Sequence, residues 1–386
     1  MNWQQRYRLR HAARTSLVLW AGVSLVAALV CAPFLRWLVR VSEWALFGFC
    51  PDGARTVLGA VAGSMLTFIV FVLSATLIVV QLASGQLTPR IIAMVFALPW
   101  VRTTLGIFTF SYAHTLSALA WVEDRVPDLH VGVAVILNLV CIVVFFLFLQ
   151  RLSGGLRPST MMQLVADRER VVVEQVYSVR FAPEQPEHDP GGILPASPAR
   201  VVEYGGPSGV VMAFGIAELV RFARDADVVI ELVPQVGDSI ARDDPLLRVF
   251  GGTRPVSEDV LRGCVAVGTE RTLDQDPRFA FRIMVDIANR ALSPAVNDPT
   301  TAVLALDRIA NLLLCLGRRR LDEGIARDED GIPRVVYGTP DWPDYVMLAV
   351  SEVRHSGAGS IQVNCRLRAM LEHLIRELPE ARHRPL

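Results

Sequence analysis

The chain has 386 residues, 52% of them hydrophobic, with 38 basic and 38 acidic side chains and a mean hydropathy of +0.39. That length holds two or three domains, the hydropathy belongs to a membrane protein, and zero net charge gives nucleic acid no electrostatic hold. All 38 basic residues are arginine, which excludes a phosphate-loop lysine, a Schiff-base lysine and any lipoyl or biotinyl attachment.

Four stretches without charge lie at residues 15–35, 56–83, 103–122 and 131–150. Each is long enough to cross a hydrocarbon core about 30 Å thick as a helix. They predict a four-helix transmembrane domain over residues 1–151. The first stretch is longer than a signal-peptide core, and Arg36, Trp37 and Arg40 after it offer no small-residue cleavage site, so it reads as a retained helix. Arginine is biased to one side. Arg6, Arg8, Arg10, Arg14, Arg90, Arg102, Arg151, Arg157, Arg168 and Arg170 face Arg36, Arg40, Arg55 and Arg125, which are diluted by Glu43, Asp52, Glu123, Asp124 and Asp128. The positive-inside rule then expects both termini in the cytoplasm.

In the second span Thr67, Ser74 and Gln81 repeat every seven residues, with the GxxxG pair Gly59 and Gly63 and then Ser84 near the same face. The stripe fits a pore-lining helix or a close helix–helix seam; small residues that let backbones approach favour the seam. Thr88-Pro89 starts a short segment whose Ile91, Ile92, Val95, Phe96 and Trp100 suit an anchor at the membrane surface. His114, midway along the third span, is ionisable at membrane depth, the place of a proton relay or ion contact. Phe110, Ser111 and Ala118 also offer a neutral imidazole a packed site.

From residue 152 polar periods take over, and a cytosolic α+β region is expected. Its first part, 152–262, holds an irregular proline-rich loop at 183–198, strands at 210–214, 228–233 and 245–250, and a helix at 216–224. The phrase VPQVGDSIARDDPLLRVF resembles the hairpin of small barrel-sandwich domains, without the lysine that carriers need. Its second part, 263–386, is a helical unit with helices at 276–291, 299–316 and 361–378, and a further loop-like stretch at 322–343.

The segment RALSPAVNDPTTAVLALDRI, residues 290–309, predicts a helix ending near Leu292 and a new one starting at Pro299. Ser293, Pro294, Asn297, Asp298 and Pro299 are the residues of that corner; Asn297 and Asp298 are read as capping groups rather than as ligands, and proline fits a first helical turn because its missing donor was unpaired anyway. Asp274, Asp276, Asp286, Asp298 and Asp307 lie near it in sequence, but their spacing matches no calcium loop. Cys31, Cys50, Cys141, Cys264, Cys315 and Cys365 form no CxxC pair, no zinc spacing occurs, and the thiols read as small buried apolar residues. Neither a metal nor a cofactor is expected.

RTLDQDPRFAFRIMVDIANRALSPAVNDPTTAVLALDRI resembles the signature of a bacterial family of predicted integral membrane proteins with a domain of unknown function, marked by an ALSPAxNDPxTA core. QLASGQLTPR is similar to a second block of that family, and VGDSIARDDPLLRVF to a third; Leu87 stands where an aromatic residue is expected. The resemblance implies a membrane protein and supplies no catalytic residues. No nucleophile–base pair or nucleotide loop is visible, so an enzyme ranks last. The first functional expectation is an oligomeric channel or transporter-like pathway regulated by its cytosolic domain. The alternative is a membrane-tethered sensor or scaffold whose cytosolic domain binds a ligand or protein. The expected partners are the lipid bilayer and further copies of the chain, with no nucleic acid and no identifiable protein.

Overall fold

The computed structural model describes residues 2–42, 50–91, 95–96, 98–122, 128–155, 157–182, 194–195, 197–252, 257–321 and 324–386. Glu43, Glu123, Asp124, Arg125, Ile92 and most of the proline-rich loop therefore lie outside the described residues. Two compact units divide the chain, Arg10–Arg157 and Met1–Leu9 with Pro158–Leu386.

Helix α1 (Trp3–Thr15) is divided between the two, and the first unit continues with α2 (Leu17–Ser42), α3 (Pro51–Gln86), α4 (Pro99–Ala120) and α5 (Asp128–Gly155). A single 3-10 turn, Pro89–Ile91, stands between α3 and α4, where Thr88 Oγ1 accepts Arg90 N at 3.4 Å. Trp100 packs its ring 5.4 Å from Phe148 of α5. Helices long and apolar enough to cross a membrane are Leu17–Phe34, Pro51–Leu82, His130–Leu152 and Pro299–Gly317. Three of the four predicted spans are among them, but 103–122 is not. That stretch is one continuous helix, α4, carrying Thr103, Thr104, Thr109, Ser111, His114, Thr115 and Ser117. Its polar residues lower its hydropathy, and α4 packs against α2, α3 and α5 with Thr104, Ser111, His114 and Thr115 buried. At the α2–α4 crossing, a Cβ on Gly106 would come within 2.9 Å of Ser24 Oγ.

The second unit opens with α6 (Pro158–Val176). Two sheets and a helix α7 (Ile216–Ala226) follow. The larger sheet orders its strands β1 (Arg200–Glu203), β5 (Pro245–Gly251), β3 (Val228–Leu232), β8 (Pro333–Tyr337) and β7 (Ile325–Arg327). Only the β3–β8 pair is parallel. The smaller orders β4 (Ser239–Ile240), β2 (Gly209–Phe214) and β6 (Val265–Gly268), all antiparallel. Val211 and Phe214 of one sheet, Ile230, Leu247 and Val335 of the other, and Leu219 and Ala223 of α7 share one apolar core. The stretch 322–343 is thus not a loop: it holds the β7–β8 hairpin, and β8 finds its second partner in β3.

Helices α9 (Pro277–Ala291), α10 (Pro299–Gly317), α11 (Trp342–Ser356) and α12 (Ile361–Glu377) complete the unit, after a short α8 (Glu258–Arg262). α10 is apolar enough for a membrane, yet 56% of it is buried against 11–28% of the other three. α6, α9 and α12 pack on it and cover Ala305, Leu306, Ile309 and Leu313. The first nine residues belong to this unit: Trp3 and Tyr7 lie against Met212, Ala213 and Ala266, and Arg6 pairs with Glu218 at 3.0 Å. Of the six thiols Cys141 and Cys264 are buried as expected; Cys31 and Cys315 are half-buried, and Cys50, just before α3, and Cys365, on α12, are exposed.

Candidate functional site

α3 turns Leu58, Ala62, Met65, Val72, Thr76 and Val79 inward, and its Phe68 ring lies 5.9 Å from Phe108 of α4 and 4.9 Å from Phe145 of α5. The polar stripe points elsewhere. Gly59, Gly63, Thr67, Ser74 and Gln81 are exposed and Ser84 is half-buried. A Cβ on Gly59 or Gly63 would meet nothing within 4 Å, so among the described residues no helix of this chain packs on that face. Thr67 Oγ1 is turned back on its own helix, donating to Gly63 O at 3.0 Å.

His114 is fully buried, and neither ring nitrogen has a hydrogen-bond partner among the described residues. Its ring stacks on Phe110 at 6.3 Å, and on the other side on His130 at 5.6 Å. His130, in the first turn of α5, lies 3.1 Å from Ala32 O through Nε2 and meets the Trp121 ring edge at 5.4 Å. The Phe110 contact is the one expected from sequence, whereas the histidine partner is not. Its signal was faint: one imidazole at the very start of the next apolar run, across the α4–α5 connection.

The corner at residues 292–299 is built from its own polar groups. α9 stops at Leu292, Ser293 Oγ donates to Arg290 O at 2.7 Å, and Asp298 N donates to Ala291 O at 2.7 Å. Asn297 takes a left-handed φ of 47°, a conformation asparagine tolerates better than most residues. The Asp298 carboxylate accepts Thr301 N at 3.1 Å and the Thr301 hydroxyl, capping α10 behind Pro299. The Thr301 hydroxyl bond holds the Asp298 carboxyl below the usual range. Pro294 and Asn297 face solvent. The neighbouring carboxylates do not converge: Asp274 pairs with Arg168 at 3.2 Å, Asp286 with Arg282 at 3.0 Å, and Asp307 with Arg366.

A cluster at the N-terminus of α9 escaped the sequence reading. Asp276 caps that helix, accepting Phe279 N at 3.2 Å, and is bound by Arg271 at 2.6 Å while only 2% exposed. Burial outweighs the arginine and raises its carboxyl above the ordinary value. Gly237, at φ 92°, brings the hairpin turn onto this pair: a Cβ there would lie 2.5 Å from Asp276 Oδ2 and 2.6 Å from Arg271 Nη2. Arg278, in the first turn of that helix, reaches Asp238 beside Gly237 at 3.5 Å. Thus the VGD turn and the RTLDQDPR stretch, distant in sequence, meet as alternating charges. Behind them lie the hydroxyls of Tyr177 and Tyr345, 3.0 Å apart, and the wholly buried Glu169 of α6, whose two carboxyl oxygens have no partner among the described residues.

Over residues 14–373 the chain matches the family described as Predicted membrane protein (DUF2254). It is 30% identical over 326 residues to the uncharacterized protein MT1328 of Mycobacterium tuberculosis (strain CDC 1551 / Oshkosh), covering 81% of this chain and 62% of that protein. The uncharacterized protein Mb1321c of Mycobacterium bovis is 29% identical over 326 residues with the same coverage. The chain therefore spans 62% of the length of these curated relatives. No solved structure matches it.

Proposed function

The chain belongs to the DUF2254 family of predicted membrane proteins, and from that premise we propose that it works as a homo-oligomer whose α3 faces line a polar pathway for ions or small solutes, regulated by the C-terminal unit. The observation that carries this reading is the uncovered stripe of Gly59, Gly63, Thr67, Ser74 and Gln81 on a helix long and apolar enough to span a bilayer. Hydrocarbon cannot satisfy a serine hydroxyl or a glutamine carboxamide, whereas a second copy or a file of water can. Small residues at 59 and 63 allow the close approach that such an assembly needs. In this reading the membrane is the bacterial inner membrane, both termini are cytoplasmic, α4 also crosses, and the two small sheets form a barrel-sandwich-like platform. The protein performs no covalent chemistry of its own.

Full-length protein reconstituted in vesicles should pass ions or small solutes under voltage, tension or a pH step, and Ser74→Leu or Gln81→Leu should cut that flux severalfold. Absence of flux under all three would remove the pathway. A second reading, a membrane-tethered sensor or scaffold, draws on a groove of about 480 Å³ between α10 and α12, lined by Thr300, Val303, Gln362, Cys365, Arg366 and Ala369. That reading expects full-length protein without flux to retain a ligand or partner that Arg366→Ala releases.

A further inference from the structure

The buried face of α6 is Met161, Met162, Val165, Glu169, Val172 and Val173. Five of these positions are apolar and the sixth, amid them, is a carboxylic acid, wholly buried, with no partner for either oxygen among the described residues. A glutamate that only solvates a helix would sit on the outer face, as Glu174 does beside Arg170 and Arg319. Glu169 instead faces the helices α9 and α10 that pack on α6.

Among the described residues the titratable groups that share an influence with it are Asp276, Cys315, Tyr177 and Tyr345, while Arg170 and Arg319, which act on Cys315 beside it, pair with Glu174. From the start of α9 comes Asp276, a like charge, already held by Arg271 at 2.6 Å. Arg278 of α9 is turned to Asp238 at 3.5 Å. α10 contributes the Cys315 thiol, α11 the Tyr345 hydroxyl and the end of α6 the Tyr177 hydroxyl, each of which senses Glu169. The two tyrosine hydroxyls are engaged with each other at 3.0 Å. No cation in this set is left over for a Glu169 carboxylate.

We propose that Glu169 is a proton-operated latch on the C-terminal unit: α6 is seated on α9 and α10 while the carboxyl is neutral, and loss of the proton loosens that seam. Ionised, the group draws water between α6 and α9, and that shifts the helix that begins at Pro158, three residues beyond the end of α5 at Gly155. Burial first, and the neighbouring Asp276 second, raise the Glu169 carboxyl well above its ordinary value of 4.5. The sign follows. Above that ordinary value the unfolded chain has lost this proton while the folded unit keeps it, so the folded unit weakens as pH rises towards the raised value.

The latch is independent of whether α3 lines a pathway, and its test needs no flux. Full-length protein in lipid nanodiscs is titrated upward from mildly acidic pH by infrared difference spectroscopy and by hydrogen exchange of peptides from residues 158–176. Wild type should show a protonated-carboxyl C=O band that fades as pH rises and is absent from Glu169→Gln. Exchange of α6, corrected for its intrinsic pH dependence, should rise by at least about tenfold over the same range in wild type and less than about twofold in Glu169→Gln. Should that variant not fold, Glu169→Met fills the site with an apolar chain and should give the same flat profile. A band unchanged by Glu169→Gln, or an α6 exchange profile in wild type with no pH dependence, would overturn the proposal.

Discussion

Asp298 does its work through two bonds to one residue, Thr301, and the helix behind it starts with proline. Its replacement by alanine removes a side-chain N-cap, a loss of about 1 kcal/mol. Its carboxyl is held low by those bonds, so the cap is intact above the ordinary carboxylate range and fails as pH falls through the depressed value. Urea unfolding of full-length protein in detergent should therefore show Asp298→Ala destabilised at neutral pH and converging on wild type in acid. Equal destabilisation at both pH values would mean that something other than the ionised cap is lost. This corner was legible in the sequence because its chemistry is local, two X-Pro steps and a capping Asp298, whereas the left-handed turn at Asn297 shows only in the backbone. Glu169 was not, since glutamate in a helix normally meets water, and only the packing of α9 and α10, more than a hundred residues away, buries it.

At the scale of elements, local pattern and tertiary partner divide the work in the same way. Helices α9, α10 and α12 carry start signals of their own, a capping Asp276, Asp298 or Ser360, and their limits follow from the sequence. The β7–β8 hairpin lacks such signals. Its short strands lie among glycine, proline and aspartate, and β8 is held by a parallel partner, β3, with Ile230 opposite Val335. α4 is a third case, a helix that hydropathy undervalues because α2, α3 and α5 enclose it. Its tightest neighbour sets a test. Gly106→Ala places a methyl 2.9 Å from Ser24 Oγ, the end of a small side chain able to rotate, so the cost should stay near 1 kcal/mol. Gly106→Leu has no such escape, must push α2 from α4, and should cost about 3 kcal/mol. Thermal unfolding in one detergent ranks the two; equal costs would place the crossing elsewhere.

The whole molecule poses the question of what lies against α3. Gly106 and Gly63 are both glycines on apolar-unit helices, but their surroundings are opposite: one touches Ser24, and the other has nothing within 4 Å. A Cβ at position 63 meets nothing within 4 Å and the position is exposed, so in Gly63→Leu the folded protomer should change by no more than about 0.5 kcal/mol, the range of surface substitutions. If copies of the chain close around α3, the same leucine enters the narrowest part of their interface, where small residues let the helices approach. Gly63→Leu should then lower the assembled mass seen by native mass spectrometry or light scattering and abolish flux, while the thermal midpoint of the dissociated protomer stays at the wild-type value. Gly106→Leu should do the reverse, weakening the protomer first. An assembly that survives Gly63→Leu at full mass would place the contact between copies on another face. Ser74 and Gln81 would then be left facing lipid, a position in which a glutamine side chain near the end of a span reaches for the headgroups and a serine bonds back to its own helix.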